Sequence, residues 1–245
     1  MSTAGWRLPF LFGIAVGVVG VYLRWRLTET PKYSEIEEQG AVAAAPLAEA
    51  FKRYPRETLL AFGVTLHNTV AYYIALVYMT SYMSSVGKLT QSTALWIGTS
   101  CLAVFVLLLP LMGWLSDRLG RRPLLIVSCI GYALLGYPFF LMASSGNVGL
   151  AIMAQLLMVL LYVPYAGACP AFYAEIFPTR VRYTALSIGY NIAVAIFGGF
   201  APFIATFLVR VTGNNHAPAF YVIAAAIVTL VILLRTRETA FAPLR

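Results

Sequence analysis

Charge is scarce in this chain. Aspartate, glutamate, lysine and arginine together make up 11% of its 245 residues, against 60% hydrophobic residues, and mean hydropathy is +0.81. So little charge cannot cover the surface of a soluble domain. Lipid is therefore the solvent for most of the chain, and long apolar runs make the fold class an all-α integral membrane protein. Cysteine is scarce too. Cys101, Cys129 and Cys169 lie inside apolar runs without a pairing pattern, which leaves them as small packing residues and says nothing about redox compartment. Lys32, Lys52 and Lys88 are the only lysines. Metal-ligand spacings, a nucleophile elbow and a phosphate loop are all missing, so an enzyme is not supported and no cofactor or metal is expected. The formal charge of +8 comes from basic residues in the short flanks of apolar runs, not along one face. They read as topology signals, not as a nucleic-acid surface.

Seven apolar runs are present, at about 8–23, 58–82, 94–115, 124–143, 148–171, 184–209 and 217–234. Each approaches or exceeds the length a helix needs to cross a bilayer. The first contains Pro9 and leaves through Arg24 and Arg26 rather than through a small-residue cleavage site, which argues against a removable signal peptide.

Between the third and fourth runs lies a short polar stretch, Gly113-Trp114-Leu115-Ser116-Asp117-Arg118-Leu119-Gly120-Arg121-Arg122-Pro123. It reads as a tight hairpin. Gly113 permits close approach of a neighbouring backbone, Gly120 permits the turn, and Pro123 suits the first turn of the next helix. Asp117 is expected just past the helix end, accepting hydrogen bonds from the free N–H groups of an adjacent helix start. Arg118, Arg121 and Arg122 make the loop basic, and short basic loops stay in the cytoplasm. Alternation from this point puts the N-terminus outside and the C-terminus inside. Arg24, Arg26, Lys32, Lys52, Arg53, Arg56, Arg118, Arg121, Arg122, Arg180, Arg182, Arg235, Arg237 and Arg245 then fall inside, 14 of the 17 basic residues, and only Arg7, Lys88 and Arg210 fall outside.

Residues 24–57 read as a cytoplasmic linker with an acidic cluster at 35–38 and an Ala-rich middle at 41–50. A weak repeat brackets the chain: Leu23-Arg24-Trp25-Arg26-Leu27-Thr28-Glu29-Thr30 after the first run, and Leu234-Arg235-Thr236-Arg237-Glu238-Thr239 after the last. The two read as equivalent ends of related units.

Polar residues at helical spacing mark three runs: Thr65, Asn68 and Tyr72; Gln155, Tyr162 and Tyr165; Ser187, Tyr190 and Asn191. In lipid such faces need a cavity or another helix. Pro164, Gly167 and Pro170 interrupt the fifth run, and Gly198, Gly199 and Pro202 interrupt the sixth, where a moving helix can bend. No Asp, Glu, Lys or Arg lies in the interior of a run, and His67 is the lone imidazole there. His67 is read as a helix-to-helix hydrogen-bonding residue.

Gly113, Asp117, Arg118, Gly120, Arg121 and Arg122 resemble, without a gap, the signature Gly-x-x-x-Asp-Arg-x-Gly-Arg-Arg between the second and third helices of each half of major facilitator superfamily transporters. Glu175 and Arg182 resemble the Glu-x6-Arg pattern of its sugar-type members. Further stretches, including Gly5-Trp6-Arg7-Leu8-Pro9-Phe10, Tyr72-Tyr73, Phe177-Pro178-Thr179 and Pro218-Ala219-Phe220-Tyr221, narrow the resemblance to the metabolite:proton symporter family, and within it to proline/betaine transporters.

The resemblance implies seven transmembrane helices, of which residues 1–23 correspond to the last helix of an N-terminal half and 58–245 form the C-terminal six-helix half. It implies a secondary active transporter, or a fragment of one, in a bacterial inner membrane. Such a machine moves a small zwitterion such as proline or betaine by proton symport with alternating access. The implied partners are substrate, proton and lipid, with a missing N-terminal half or a second copy. Expected substrate-binding residues are Asn68, Tyr72, Tyr73, Gln155, Tyr162, Tyr165, Tyr190 and Asn191. Expected gate residues are Gly113, Asp117, Arg118, Gly120, Arg121, Arg122, Glu175 and Arg182, with Glu175 latching onto Arg118 or Arg182. Two alternatives stand beside this reading. One is a half-protein without transport of its own; the other is a seven-helix receptor, which has no lysine in the last run for a retinal Schiff base and no reason to carry the hairpin signature.

Overall fold

The structure, a computed structural model, describes residues 8–26, 54–177 and 182–241. Each of the seven apolar runs is helical. The first is α1 (Leu8–Arg26), 19 residues or about 28 Å long. Arg24 and Arg26 occupy its last turn, where cations complement the helix dipole.

The other six runs form a unit of their own. α2 (Pro55–Tyr72) continues through a π-helical turn, π1 (Tyr73–Tyr78), into α3 (Met79–Ser85) as one span. α4 (Gln91–Leu119), α5 (Arg121–Ala143) and α6 (Val148–Ile176) follow. α7 (Arg182–Ala193) runs into a second π-helical turn, π2 (Val194–Gly199), then α8 (Ala201–Thr212); α9 (Pro218–Leu234) closes the unit. Among the described residues of this unit, five helical spans are long and apolar enough to cross a membrane, and α9 is a shorter apolar helix of 17 residues. The molecule is an all-helical membrane protein.

Local chemistry sets the helix ends. Thr90 caps α4 by accepting from the Thr93 N–H at 3.2 Å, and Asn147 caps α6 by accepting from the Leu150 N–H at 3.1 Å. Pro55 and Pro218 sit in the first turns of α2 and α9. A single residue, Gly120, separates α4 from α5, with φ at 98°, a left-handed conformation that a side chain would strain.

The hairpin is therefore tighter than its polar sequence suggests. Asp117 and Arg118 lie on the last helical turn of α4 and not in a loop, because neither residue breaks a helix and the first that does is Gly120. α6 likewise stays helical through Pro164 and Pro170. The sixth run is interrupted where the sequence places the break, at π2, which holds Gly198 and Gly199, and at Phe200, with Pro202 in the first turn of α8.

α6 packs along α5 and α4, α9 packs on α5 and α2, and α2 packs on α7. Tyr82, Tyr132, Phe139, Phe140 and Phe172 are fully buried in the shared core. The α4–α6 crossing is glycine-made: a Cβ on Gly167 would lie 2.9 Å from the Gly113 N and 2.8 Å from Met112 Cβ. Gly113 is less constrained, since a Cβ there would meet only the Gly167 carbonyl at 4.0 Å. Cross-helix donors saturate main-chain carbonyls that have no water to turn to. Tyr132 Oη donates to Met158 O at 2.8 Å, and Thr229 Oγ1 to Gly63 O at 2.7 Å. Each π turn also takes a donor from a neighbouring helix. Gln155 Nε2 reaches Ala75 O in π1 at 3.0 Å, and Tyr221 Oη reaches Phe197 O in π2 at 2.6 Å.

Candidate substrate cavity and charged rim

Two polar regions stand out. The first is at the end of the bundle where α4, α6 and α9 finish and α5 begins. Arg121 is only 8% exposed there. Its Nη1 donates to Asp117 Oδ1 at 2.6 Å and Ser116 Oγ at 2.9 Å, and its Nε donates to Glu175 Oε1 at 3.1 Å. Nη2 lies 3.0 Å from the same Glu175 oxygen. Glu175 Oε2 accepts from Thr239 Oγ1 at 2.5 Å.

Glu238 completes the rim by accepting from the Arg121 and Arg122 N–H groups at 2.9 and 3.0 Å. Those are orphan donors of the first turn of α5. Burial by itself pushes the Glu238 carboxyl up, but backbone N–H donors from Ala240, Arg121, Thr239 and Arg122 outweigh it and hold the group below its ordinary value. Arg122 in turn donates to the Leu233 and Leu234 carbonyls at 2.9 and 3.0 Å, at the end of α9.

Two expectations change here, and a third lies outside the described residues. The carboxylate that caps the adjacent helix is Glu238, not Asp117, because Asp117 is inside the α4 helix with its carboxylate turned to Arg121. Glu175 pairs with Arg121 and not with Arg118, whose guanidinium stacks on Trp114 at 4.0 Å. Arg182 opens α7, and its side chain lies outside the described residues. The only trace of the Glu238 role in the sequence is the repeated Arg-x-Arg…Glu-Thr after the first and last runs.

The second region is a cavity halfway along the helices, between α2, α6 and α7. It has two adjoining lobes of about 410 Å³ and 360 Å³ that share Asn68, Tyr162 and Tyr190. Tyr173, Ser187 and Asn191 line the larger lobe; Tyr72, Tyr73 and Phe105 line the smaller. Asn68 and Tyr72 meet here because they lie one helical turn apart on α2, and Tyr162 and Tyr173 because eleven residues are close to three turns of α6. Tyr162 is braced by stacking on Phe105, with centroids 5.6 Å apart and planes 7° apart. Its hydroxyl donates to Asn68 Oδ1 at 3.0 Å. Tyr72 stands against Tyr73 and Tyr162 at 5.4 and 6.3 Å.

Of the eight expected binding residues, the structure brings Asn68, Tyr72, Tyr73, Tyr162, Tyr190 and Asn191 to this cavity. Gln155 and Tyr165 are elsewhere. Both are fully buried, Gln155 on the π1 carbonyl and Tyr165 donating to Val64 O at 2.6 Å. α6 has neighbours on several sides, so its spacing marks a polar face without saying whether a cavity or a backbone carbonyl lies opposite. His67 is enclosed as a helix-to-helix contact, 3.1 Å from Ser128 Oγ and between the rings of Tyr132 and Tyr165. Phe105 and Cys169 line the cavity with no signal in the sequence, since an apolar residue in an apolar run is indistinguishable from its neighbours. Tyr173 had one: it continues the Tyr162 stripe.

Comparison with known proteins adds the following. Residues 34–245 match the model of a family described as "Sugar (and other) transporter". The chain is 32% identical to a proline/betaine transporter of Escherichia coli over 98% of its own length and 50% of the relative's. It is 31% identical to a glycine betaine/proline/ectoine/pipecolic acid transporter of Dickeya dadantii, again over 98% of the chain and 50% of the relative. It is 33% identical to an ectoine/proline transporter of Corynebacterium glutamicum over 100% of the chain and 50% of the relative. The chain thus spans about half the length of the curated relatives it matches. No solved structure matches it significantly. The hairpin signature, the all-helical bundle and the match over residues 34–245 together place the chain in the sugar (and other) transporter family of the major facilitator superfamily.

Proposed function

We propose that the chain is one half of a secondary active transporter that moves a small zwitterion of the proline or betaine type. The observation that carries this is the character of the cavity: it is lined by tyrosines and asparagines, and no charged residue is among its described lining. An isolated anion or cation placed there would be an unpaired charge out of water, which costs several kcal/mol. A zwitterion brings its own counter-charge. The named cargoes of the relatives, proline, betaine and ectoine, fit this chemistry.

In this reading residues 58–245 form a C-terminal six-helix half, 1–23 stand for the last helix of a preceding half, and 24–57 link them. The charged rim faces the cytoplasm of a bacterial inner membrane, with the N-terminus outside, as the basic residues favour. The rim ties α4, α5, α6 and α9 into one body, so that this half rocks against a partner half and exposes the cavity to each side in turn. The partner half supplies the opposite wall and, for proton symport, the titratable carboxylate that the interior of these spans does not contain.

Reconstitution tests it. The chain alone in proteoliposomes should show no proton-driven uptake of radiolabelled glycine betaine, and co-expression with the N-terminal half of a relative should restore uptake that a protonophore abolishes. Robust uptake by the chain alone would point instead to a homodimeric transporter. Uptake of an organic acid without betaine by the completed pair would overturn the cargo.

A further inference from the structure

Of the three arginines in the hairpin, two are consumed by the bundle. Arg121 is enclosed by Asp117, Ser116 and Glu175, and Arg122 donates to the last carbonyls of α9. Arg118 differs from both. It is exposed, and among the described residues it has no hydrogen bond and no carboxylate, since Asp117 is taken by Arg121. Its guanidinium lies over the Trp114 ring, 4.0 Å from the centroid. A cation with only water to meet would extend away from the bilayer. This one is folded back one helical turn onto an indole, toward the apolar length of α4. Stacking uses the face of the guanidinium and leaves free the N–H donors along its edge, the fork that fits a phosphate. Trp114 also has a counterpart. Trp96 lies eighteen residues earlier on the same helix, which is about five turns and about 27 Å. The two indoles therefore share one side of α4, at a spacing close to the roughly 30 Å hydrocarbon thickness of a bilayer. They are 71% and 49% exposed, and Leu107 between them is 77% exposed. Phe105, which turns into the bundle and lines the cavity, is nine residues from each, about two and a half turns, and so lies on the opposite side. An apolar helix face with a tryptophan at each end of that span is the pattern of a lipid boundary, where indoles sit at headgroup level.

We propose that the side of α4 bearing Trp96, Leu107 and Trp114 is a lipid contact, and that Arg118, held on Trp114, binds the phosphate of an anionic phospholipid in the leaflet on the side of the charged rim. The indole sets the depth, and stacking brings the guanidinium to the same depth, that of glycerol and phosphate. An anionic headgroup suits the site better than a zwitterionic one, because the arginine's charge has no other partner and a lipid carrying its own ammonium offers less net attraction. Its acyl chains lie along Leu111 and Leu107, both exposed. A protein on this face would bury a full charge that then needs a carboxylate, and would take both indoles out of the interfaces they fit. Arg121 thus ties helices to one another, and Arg118 ties α4 to the bilayer. The site is independent of the cargo and requires only that α4 spans the membrane.

Brominated lipids, which quench a tryptophan they touch, test both parts. The full chain is placed in nanodiscs of phosphatidylcholine and phosphatidylglycerol with bromine on one lipid at a time, alone and co-expressed with a tryptophan-free complementary half of a relative. One version keeps only Trp114 and another only Trp96, the remaining tryptophans being changed to phenylalanine. Both indoles should be quenched by brominated phosphatidylcholine and should stay so when the complementary half is present. Trp114 should in addition favour brominated phosphatidylglycerol by about fivefold, whereas Trp96, with no cation over its ring among the described residues, should show no preference. Arg118→Gln should abolish the Trp114 preference at unchanged helical circular dichroism and unchanged quenching by phosphatidylcholine. Arg118→Lys, a charge without the fork, should fall between the two. Trp114 shielded from both lipids, in either form, would mean that protein covers the face and would overturn the lipid contact. A preference that survives Arg118→Gln would put the phosphate elsewhere, and one that excess inorganic phosphate removes at constant ionic strength would make this a site for a soluble anion; either result overturns the headgroup site.

Discussion

At the charged rim, Arg121 commits all three guanidinium nitrogens to Asp117, Ser116 and Glu175, and Glu238 gathers four backbone donors. In the cavity, Asn68, Tyr72, Tyr73 and Tyr190 leave donors uncommitted among the described residues, and Thr69 leaves a buried one. Both regions are polar islands in an apolar bundle, yet they are built to different ends. The rim carries full charges, which cannot be left unpaired away from water, so each has a partner. The cavity carries only neutral dipoles, which cost less to leave open, so it can stay available for a ligand. Saturated polarity ties helices together; unsaturated polarity is what the proposed cargo site requires.

The contrast can be broken most severely at Arg121. Arg121→Ala leaves Glu175, whose side chain is 12% exposed, without its cation, and removing one partner of a buried pair costs about 3–5 kcal/mol. Chemical unfolding in detergent should show that loss, and a change under 1 kcal/mol would mean the rim is ornamental. Glu238→Gln is a smaller blow of about 1 kcal/mol, as expected for a partly exposed carboxylate at a helix N-terminus. Its sign with pH is fixed. The folded carboxyl is held below its ordinary value of 4.5, so its contribution is present above that pH and is lost as acid takes the pH down through the lowered value. The wild type should therefore lose stability there, and Glu238→Gln should lose less of it; parallel acid curves would contradict the cap. The smallest structural effect belongs to the cavity. Asn191→Leu should change unfolding by no more than about 0.5 kcal/mol, because it removes an exposed side chain with no hydrogen bond among the described residues, while uptake by the completed transporter falls sharply. Stability lost together with uptake would show that the cavity, too, is a structural network.

Much of this was legible in the sequence, and the limits have physical causes. Long uncharged runs must be helices in lipid, so all seven were visible, and the tight Gly120 turn followed from the need for a breaker between two of them. Asn68, Tyr72 and Tyr190 could be found because a polar residue in an apolar run is conspicuous. Gln155 and Tyr165 were equally conspicuous and went elsewhere, because a polar side chain inside a bundle is satisfied as well by a carbonyl as by a cavity. Phe105 was invisible for the opposite reason.

Composition and local pattern alone determined the solvent, the helices and the hairpin, since these depend on transfer free energy and on backbone chemistry carried by each segment. The pairings were decided only by the tertiary structure. Glu238 lies 117 residues from the N–H of Arg121 that it accepts, and Tyr162 lies 94 residues from the Asn68 that it orients. Contacts of that range are chosen by which helices become neighbours, and no local stretch of sequence encodes that choice by itself.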